Sequence, residues 1–203
     1  GRIIKITRDS VSANGASLPA QSVEMSYDAV GRLLQRWTTS GGEMITSSTT
    51  YDTAGRVSSE SSPGQGTTSY TYDVSNRSVM ATLPTGATRI ETRYLDGRLA
   101  SVTGNVQVPE YYDYGVEADG RRRSTVSALT SGGPRTALSR LDRLGRPIER
   151  IRPGFNNVES FSESTSYDPA TGLPTLVSRT GYAPTRLEYD GMGGLKRRGL
   201  LVN

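Results

Sequence analysis

Along most of this chain polar and apolar residues alternate with a period of two, in short runs cut off by turn residues. Val23, Met25 and Tyr27 share one parity with Glu24 and Ser26 between them, and Tyr70 and Tyr72 flank Thr71 in the same way. That is the pattern of a strand with one covered face, not of a helical stripe. The runs end at two kinds of punctuation. One is a frame, Tyr-Asp-x-x-Gly-Arg. The other is a Gly- or Pro-containing turn roughly midway between frames, as at Ser40-Gly41-Gly42, Ser62-Pro63-Gly64, Pro84-Thr85-Gly86 and Thr103-Gly104-Asn105. Two turns per interval leave room for two strands of about six to eight residues each, and none for a crossover helix.

The frame is intact at Tyr27-Asp28-Ala29-Val30-Gly31-Arg32 and at Tyr51-Asp52-Thr53-Ala54-Gly55-Arg56. It returns with Asn for Gly at Tyr72-Asp73-Val74-Ser75-Asn76-Arg77, and with Leu for Tyr at Leu141-Asp142-Arg143-Leu144-Gly145-Arg146. Looser copies begin at Tyr94, at Tyr112-Asp113, at Tyr167-Asp168 and at Tyr189-Asp190, so that the interval averages roughly 23 residues. Asp first and Gly fourth are the preferences of a type I turn in which the carboxylate takes a backbone amide two residues on. Gly there adopts positive φ without steric cost and opens a bulge from which the next strand departs. Positive φ is therefore expected at Gly31 and Gly55, and at Asn76 as the next most tolerant residue. Tyr27, Tyr51, Tyr72 and Tyr94 are expected to stack as a ladder on one face, since equivalent positions of neighbouring repeats superimpose.

These elements predict an all-β chain: a repetitive antiparallel hairpin meander over residues 1–203, with residues 106–139 as an irregular or inserted repeat. Two strands for each of eight frames give about sixteen, roughly 75 Å across at ~4.8 Å each. A sheet that wide does not stay flat, and a curved, spiralling sheet follows. Composition agrees. Leu, Ile, Val and Phe form roughly a fifth of the chain, too little for a two-layer core but suited to a single wall. Eleven Tyr against two Phe place the large rings where one end stays wet.

Charge and chemistry remove whole classes of function. The chain has no Cys and no His, so disulfide scaffolds, thiol nucleophiles, imidazole bases and zinc fingers are excluded. Of its 24 basic residues all but two are Arg, spread along the whole length rather than gathered on one groove-reading element. Arg121-Arg122-Arg123 and Lys196-Arg197-Arg198 read as solvated faces, and no nucleic-acid partner is expected. No apolar run approaches the ~18 residues of a membrane helix. Glu110, Glu117 and Asp119 are close in sequence but nothing else makes them a catalytic set, and Asp119 with Asp113 lacks the calcium-loop pattern. No catalytic residue, cofactor or metal is called for, and the chain reads as a non-enzyme.

At the level of the frames, Tyr-Asp-x-x-Gly-Arg-Leu recurring every 20–25 residues with Pro-x-Gly turns between resembles the Rhs or YD-repeat family, over roughly Val23 to Leu195. The resemblance implies long antiparallel sheets that close into hollow shells. In bacterial polymorphic toxins and toxin complexes such shells hold a C-terminal toxic domain, and in teneurins a similar shell belongs to a cell-surface receptor. It further implies a bacterial, secreted or cell-surface setting, and flanking repeats and an encapsulated passenger polypeptide as partners. The other function it offers is a binding or adhesion surface for a carbohydrate or cell-surface partner, with the Tyr rings as platforms. The family's self-cleaving core resembles two Asp-Pro-x-Gly motifs. Here a single Asp-Pro, Asp168-Pro169, has its Gly one position too far on, and it reads as a turn. The chain is expected to be a fragment whose open sheet edges self-associate or join further repeats.

Overall fold

The structure is a computed structural model and describes residues 4–11, 17–40, 42–154 and 160–201. The chain divides into two compact units, Gly1–Thr92 with Gly104–Val106, and Arg93–Thr103 with Gln107–Asn203. Seventeen strands run through the described residues, one more than the frames alone predict.

The first unit carries β1 (Lys5–Val11), β2 (Ser17–Tyr27), β3 (Leu33–Ser40), β4 (Glu43–Tyr51), β5 (Val57–Ser62), β6 (Gly66–Asp73), β7 (Ser78–Thr82) and most of β8 (Thr88–Arg93). Each pairs antiparallel with the next, from Lys5 opposite Glu24 to Ser78 opposite Thr92. The second unit carries β9 (Leu99–Gly104), β10 (Glu110–Val116), β11 (Arg122–Thr130), β12 (Gly133–Leu141), β13 (Pro147–Pro153), β14 (Ser160–Tyr167), β15 (Pro174–Arg179), β16 (Tyr182–Tyr189) and β17 (Leu195–Leu200), again paired in chain order. Each unit is thus an all-β hairpin meander, as the period-two pattern and the paired turns require.

The sheet has almost no core. Val102 is the only fully buried hydrophobic side chain among the described residues. The chain exposes 14,100 Å², against about 9,300 Å² for a compact protein of its mass. Most strand residues are half-covered by their cross-strand neighbours alone, which is what a single layer of side chains provides.

The ladder is interrupted at regular places. Tyr27 lies opposite Leu33 although Ser26 lies opposite Gln35, so Leu34 is an extra residue on β3. The same one-residue bulge falls at Ser58, Ile148, Thr175 and Lys196, each two residues past the Arg position of its frame. Within residues 106–139 the chain forms β10, β11 and most of β12. Here the structure corrects the reading of Tyr112-Asp113 as a frame: both lie in the middle of β10, opposite Val126 and Thr125, and the turn comes at Glu117–Arg121 instead.

Candidate functional site: the repeat frame and its latch

In an intact frame the backbone forms a three-residue hairpin loop. The Asp28 amide donates to the Arg32 carbonyl at 2.9 Å, and the Gly31 amide donates to the Asp28 carbonyl at 3.0 Å. Gly31 and Gly55 have φ of 94° and 83°, the left-handed conformation that an L side chain resists. The Asp side chain completes the turn: Asp28 Oδ1 accepts from the amides of Val30 and Arg32, and Oδ2 accepts from Arg32 Nε at 2.6 Å. Asp52 with Arg56 and Asp142 with Arg146 repeat this bonding. At all three Asp residues partial desolvation pushes the carboxyl up, but the amide and guanidinium donors outweigh it and hold the group below its ordinary range.

The Arg that closes one frame also reaches the next. Arg32 lies over the ring of Tyr51 at 4.4 Å from its centroid, Arg56 over Tyr72 at 4.2 Å, and Arg146 over Tyr167 at 4.5 Å. Each of these Tyr hydroxyls donates back to the carbonyl that follows the same Arg: Tyr51 to Leu33 at 3.0 Å, Tyr72 to Val57 at 2.7 Å, and Tyr167 to Pro147 at 2.8 Å. Arg32 and Arg146 also press on the next frame's Gly. A Cβ on Gly55 would come within 2.9 Å of Arg32 Nη1, and one on Gly172 within 3.3 Å of Arg146 Nη1. Asp, Arg, Tyr and Gly thus form one latch between successive repeats, worth about 1–2 kcal/mol from ring and hydroxyl together. Of the four Tyr expected to stack as a ladder, Tyr51 and Tyr72 each have a guanidinium over the ring, whereas Tyr94 meets another ring, Tyr114, edge-on.

Four frames depart from this pattern. In Tyr72–Arg77 the ladder runs on without a bulge to Asp73 opposite Ser78, and positive φ falls on Arg77, at 51°, not on Asn76. Asn76 bonds Asp73 through both its amide and its side chain, which keeps it out of the left-handed region. Bonds from the Ser75 hydroxyl and from Asn76 draw the Asp73 carboxyl down to about 2. In the Tyr94 frame Tyr94 itself takes the first turn position, and Asp96, two residues later, binds Arg98. Arg98 then lies over Tyr114 at 4.4 Å, while Tyr94 meets Tyr114 edge-on and donates to the Tyr112 carbonyl. Asp168 accepts from Ala170 and from the amide and hydroxyl of Thr171, in a loop one residue longer. Asp190 keeps the two amide bonds of an intact frame, from Met192 and Gly194, but Gly194 stands where those frames have Arg and supplies no guanidinium.

Glu117-Ala118-Asp119-Gly120-Arg121 is a frame that the sequence reading passed over. It has the same two backbone bonds, Glu117 in the first position, and Asp119 bonding Arg121 as Asp96 bonds Arg98. The surviving signal was Asp-Gly-Arg without a Tyr. The carboxylates near it do not converge on a reaction centre. Glu117 is held by Arg140 and Arg121, Asp113 by Arg123, and Glu110 by the Tyr112 hydroxyl.

Hairpins of this turn type, bulged at a fixed point and tied through Asp, Arg and Tyr, define a repeat protein. The chain matches the teneurin YD-shell model over residues 2–178, and it belongs to the YD-repeat shell family. No curated protein sequence matches it. Among solved structures its fold is similar to a crystal structure of TcdB2-TccC3-TEV, with a TM-score of 0.59 and 13% identity over 93% of this chain and 11% of that one. It is also similar to TcdB2-TccC3-Cdc42, with a TM-score of 0.54 and 15% identity over 97% of this chain and 12% of that one. A Photorhabdus luminescens Tc holotoxin pore carrying a TccC3 mutation gives a TM-score of 0.53 and 16% identity, over 97% and 12%. The chain therefore spans only about a tenth of the length of those proteins.

Proposed function

We propose that this chain is a wall segment of a shell that encloses a passenger polypeptide, in a secreted bacterial protein of the toxin-complex kind. The observation that carries the reading is the single-layer construction. A sheet of this extent with one fully buried hydrophobic side chain among the described residues is poorly made for a binding core or a reaction centre, and well made to separate two spaces. Its latches join neighbours only, so the wall can be extended at either end without redesign. Membership of the YD-shell family and the likeness in fold to TccC3-containing structures support the same role. On this reading the chain is structural rather than catalytic, and its partners are flanking repeats and the passenger.

Limited proteolysis of the full-length gene product tests this. A passenger downstream of the repeats should survive protease that digests it once the shell has been denatured. Digestion at the same rate in the native and denatured protein would overturn the proposal.

A further inference from the structure

One latch position lacks its ring. Leu141 stands where the frames at Tyr51 and Tyr167 have Tyr, and Gly145 follows it as Gly55 follows Tyr51. The guanidinium is nevertheless in place. Arg122 pairs opposite Leu141 across β11 and β12, and its Nη2 would lie 2.7 Å from a Cβ on Gly145, as Arg32 lies against Gly55. Beside it opens a cavity of about 490 Å³, walled by Arg122, Leu141, Val116, Arg123 and Tyr114, whose ring is already covered by Arg98. Val116, opposite Arg122 on the other side, is 72% exposed. Arg123 is paired with Asp113, and Arg98 with Asp96, but Arg122 has no ion-pair partner among the described residues.

We propose that this slot is a binding site for an aromatic side chain of another polypeptide, flanked by a carboxylate. The ring would lie against Leu141 and Val116 under the Arg122 guanidinium, taking the place that Tyr51 and Tyr167 take in cis. The carboxylate would answer the charge of Arg122. Three things identify the occupant. The same Arg-over-ring arrangement is filled by Tyr at equivalent points of this chain. The two residues paired opposite Arg122, Val116 and Leu141, are aliphatic, which suits a ring face rather than a sugar or a metal ion. The unpaired charge selects an acidic neighbour over a basic one. The inference deepens the encapsulation reading, since it names the chemistry by which the wall would hold a stretch of passenger.

The test is a titration of the 203-residue chain with a fluorescein-labelled Ser-Glu-Tyr-Glu-Ser peptide, followed by anisotropy. Binding is expected to weaken about tenfold when the peptide Tyr is replaced by Leu, and again when Glu is replaced by Lys. On the protein, Leu141→Tyr supplies the ring in cis and should abolish binding while raising thermal stability, and Arg122→Gln should weaken binding about tenfold. Absence of binding, equal binding of the Leu peptide, or undiminished binding by Leu141→Tyr would each overturn the site. The peptide series leaves the protein unchanged, so a misfolded variant cannot mask the answer. Failure here with an intact protease-protected passenger would sink the slot and leave the shell reading standing.

Discussion

The latch between the first two intact frames of the structure can be measured as a coupling energy. Tyr51→Leu removes the ring beneath Arg32, which at this partly exposed position is worth about 0.5–1 kcal/mol, and the hydroxyl bond to the Leu33 carbonyl, about 1 kcal/mol. The expected total is about 2 kcal/mol. With a urea slope of about 2 kcal/mol/M this moves the unfolding midpoint down by about 1 M. Tyr51→Phe keeps the ring and should cost only the hydroxyl's share, about half as much. Arg32→Met combined with Tyr51→Leu should fall short of additivity by about 0.5–1 kcal/mol, the energy of the guanidinium on the ring. Repeat arrays can unfold piecemeal, so the probe must be local. Trp37, the single Trp of the chain, sits on β3 with Leu33 and reports that hairpin by its fluorescence. Arg36, exposed on the same strand, supplies the control, since Arg36→Met with Tyr51→Leu should be additive. A coupling for Arg32 and Tyr51 no larger than this control would refute the latch as an energetic unit.

Other outcomes follow from the same geometry. Gly104→Ala would set a Cβ 2.1 Å from the Thr88 carbonyl oxygen, on backbone pinned there by the Asn105 and Val106 amides, and should cost about 3 kcal/mol or more in a thermal melt, whereas Gly86→Ala, which meets open space, should cost only about 1–2 kcal/mol. Acid should loosen the frames. Asp28, Asp52, Asp142 and Asp73 all titrate below their ordinary value, so the stability they give is full above about pH 4 and is lost as pH falls through their folded values, near 2 for Asp73. Circular-dichroism melts should therefore be level above pH 5 and drop steeply between about pH 4 and 2; a level profile through that range would contradict the Asp-centred turns.

Much of this architecture could be read from residue order, because its determinants are local. Asp and Gly three apart are enough to write the turn at Asp28–Gly31, and period-two alternation to place β2 and β6 beside it. What could not be read lies beyond one hairpin. Arg32 finds Tyr51 only after two strands have intervened, and a long side chain's destination has no sequence period. Arg77 took the positive φ expected of Asn76 because Asn76 had a competing bond to Asp73, a contest between two favourable roles of the same residue. Glu117–Arg121 was missed since the most visible letter of the frame, Tyr, is not one its turn requires. The turn needs only a carboxylate within reach of the following Arg, from the first position in Asp28 or the third in Asp96 and Asp119.

The bulge two residues past the Arg position of five frames has a consequence for how such a chain can change. A strand's side chains swap faces with every residue added, so one insertion in an uninterrupted ladder would turn all later residues inside out. Here each bulged hairpin restarts its own count. The loop from Asp168 to Leu173 carries one residue more than that from Asp28 to Arg32, yet Tyr167 still meets Arg146 and the bulge still falls on the strand that follows. Errors in length are corrected where they arise and do not travel. Drift, duplication and loss of single residues can therefore accumulate repeat by repeat, while the two faces of each hairpin keep their separate identities.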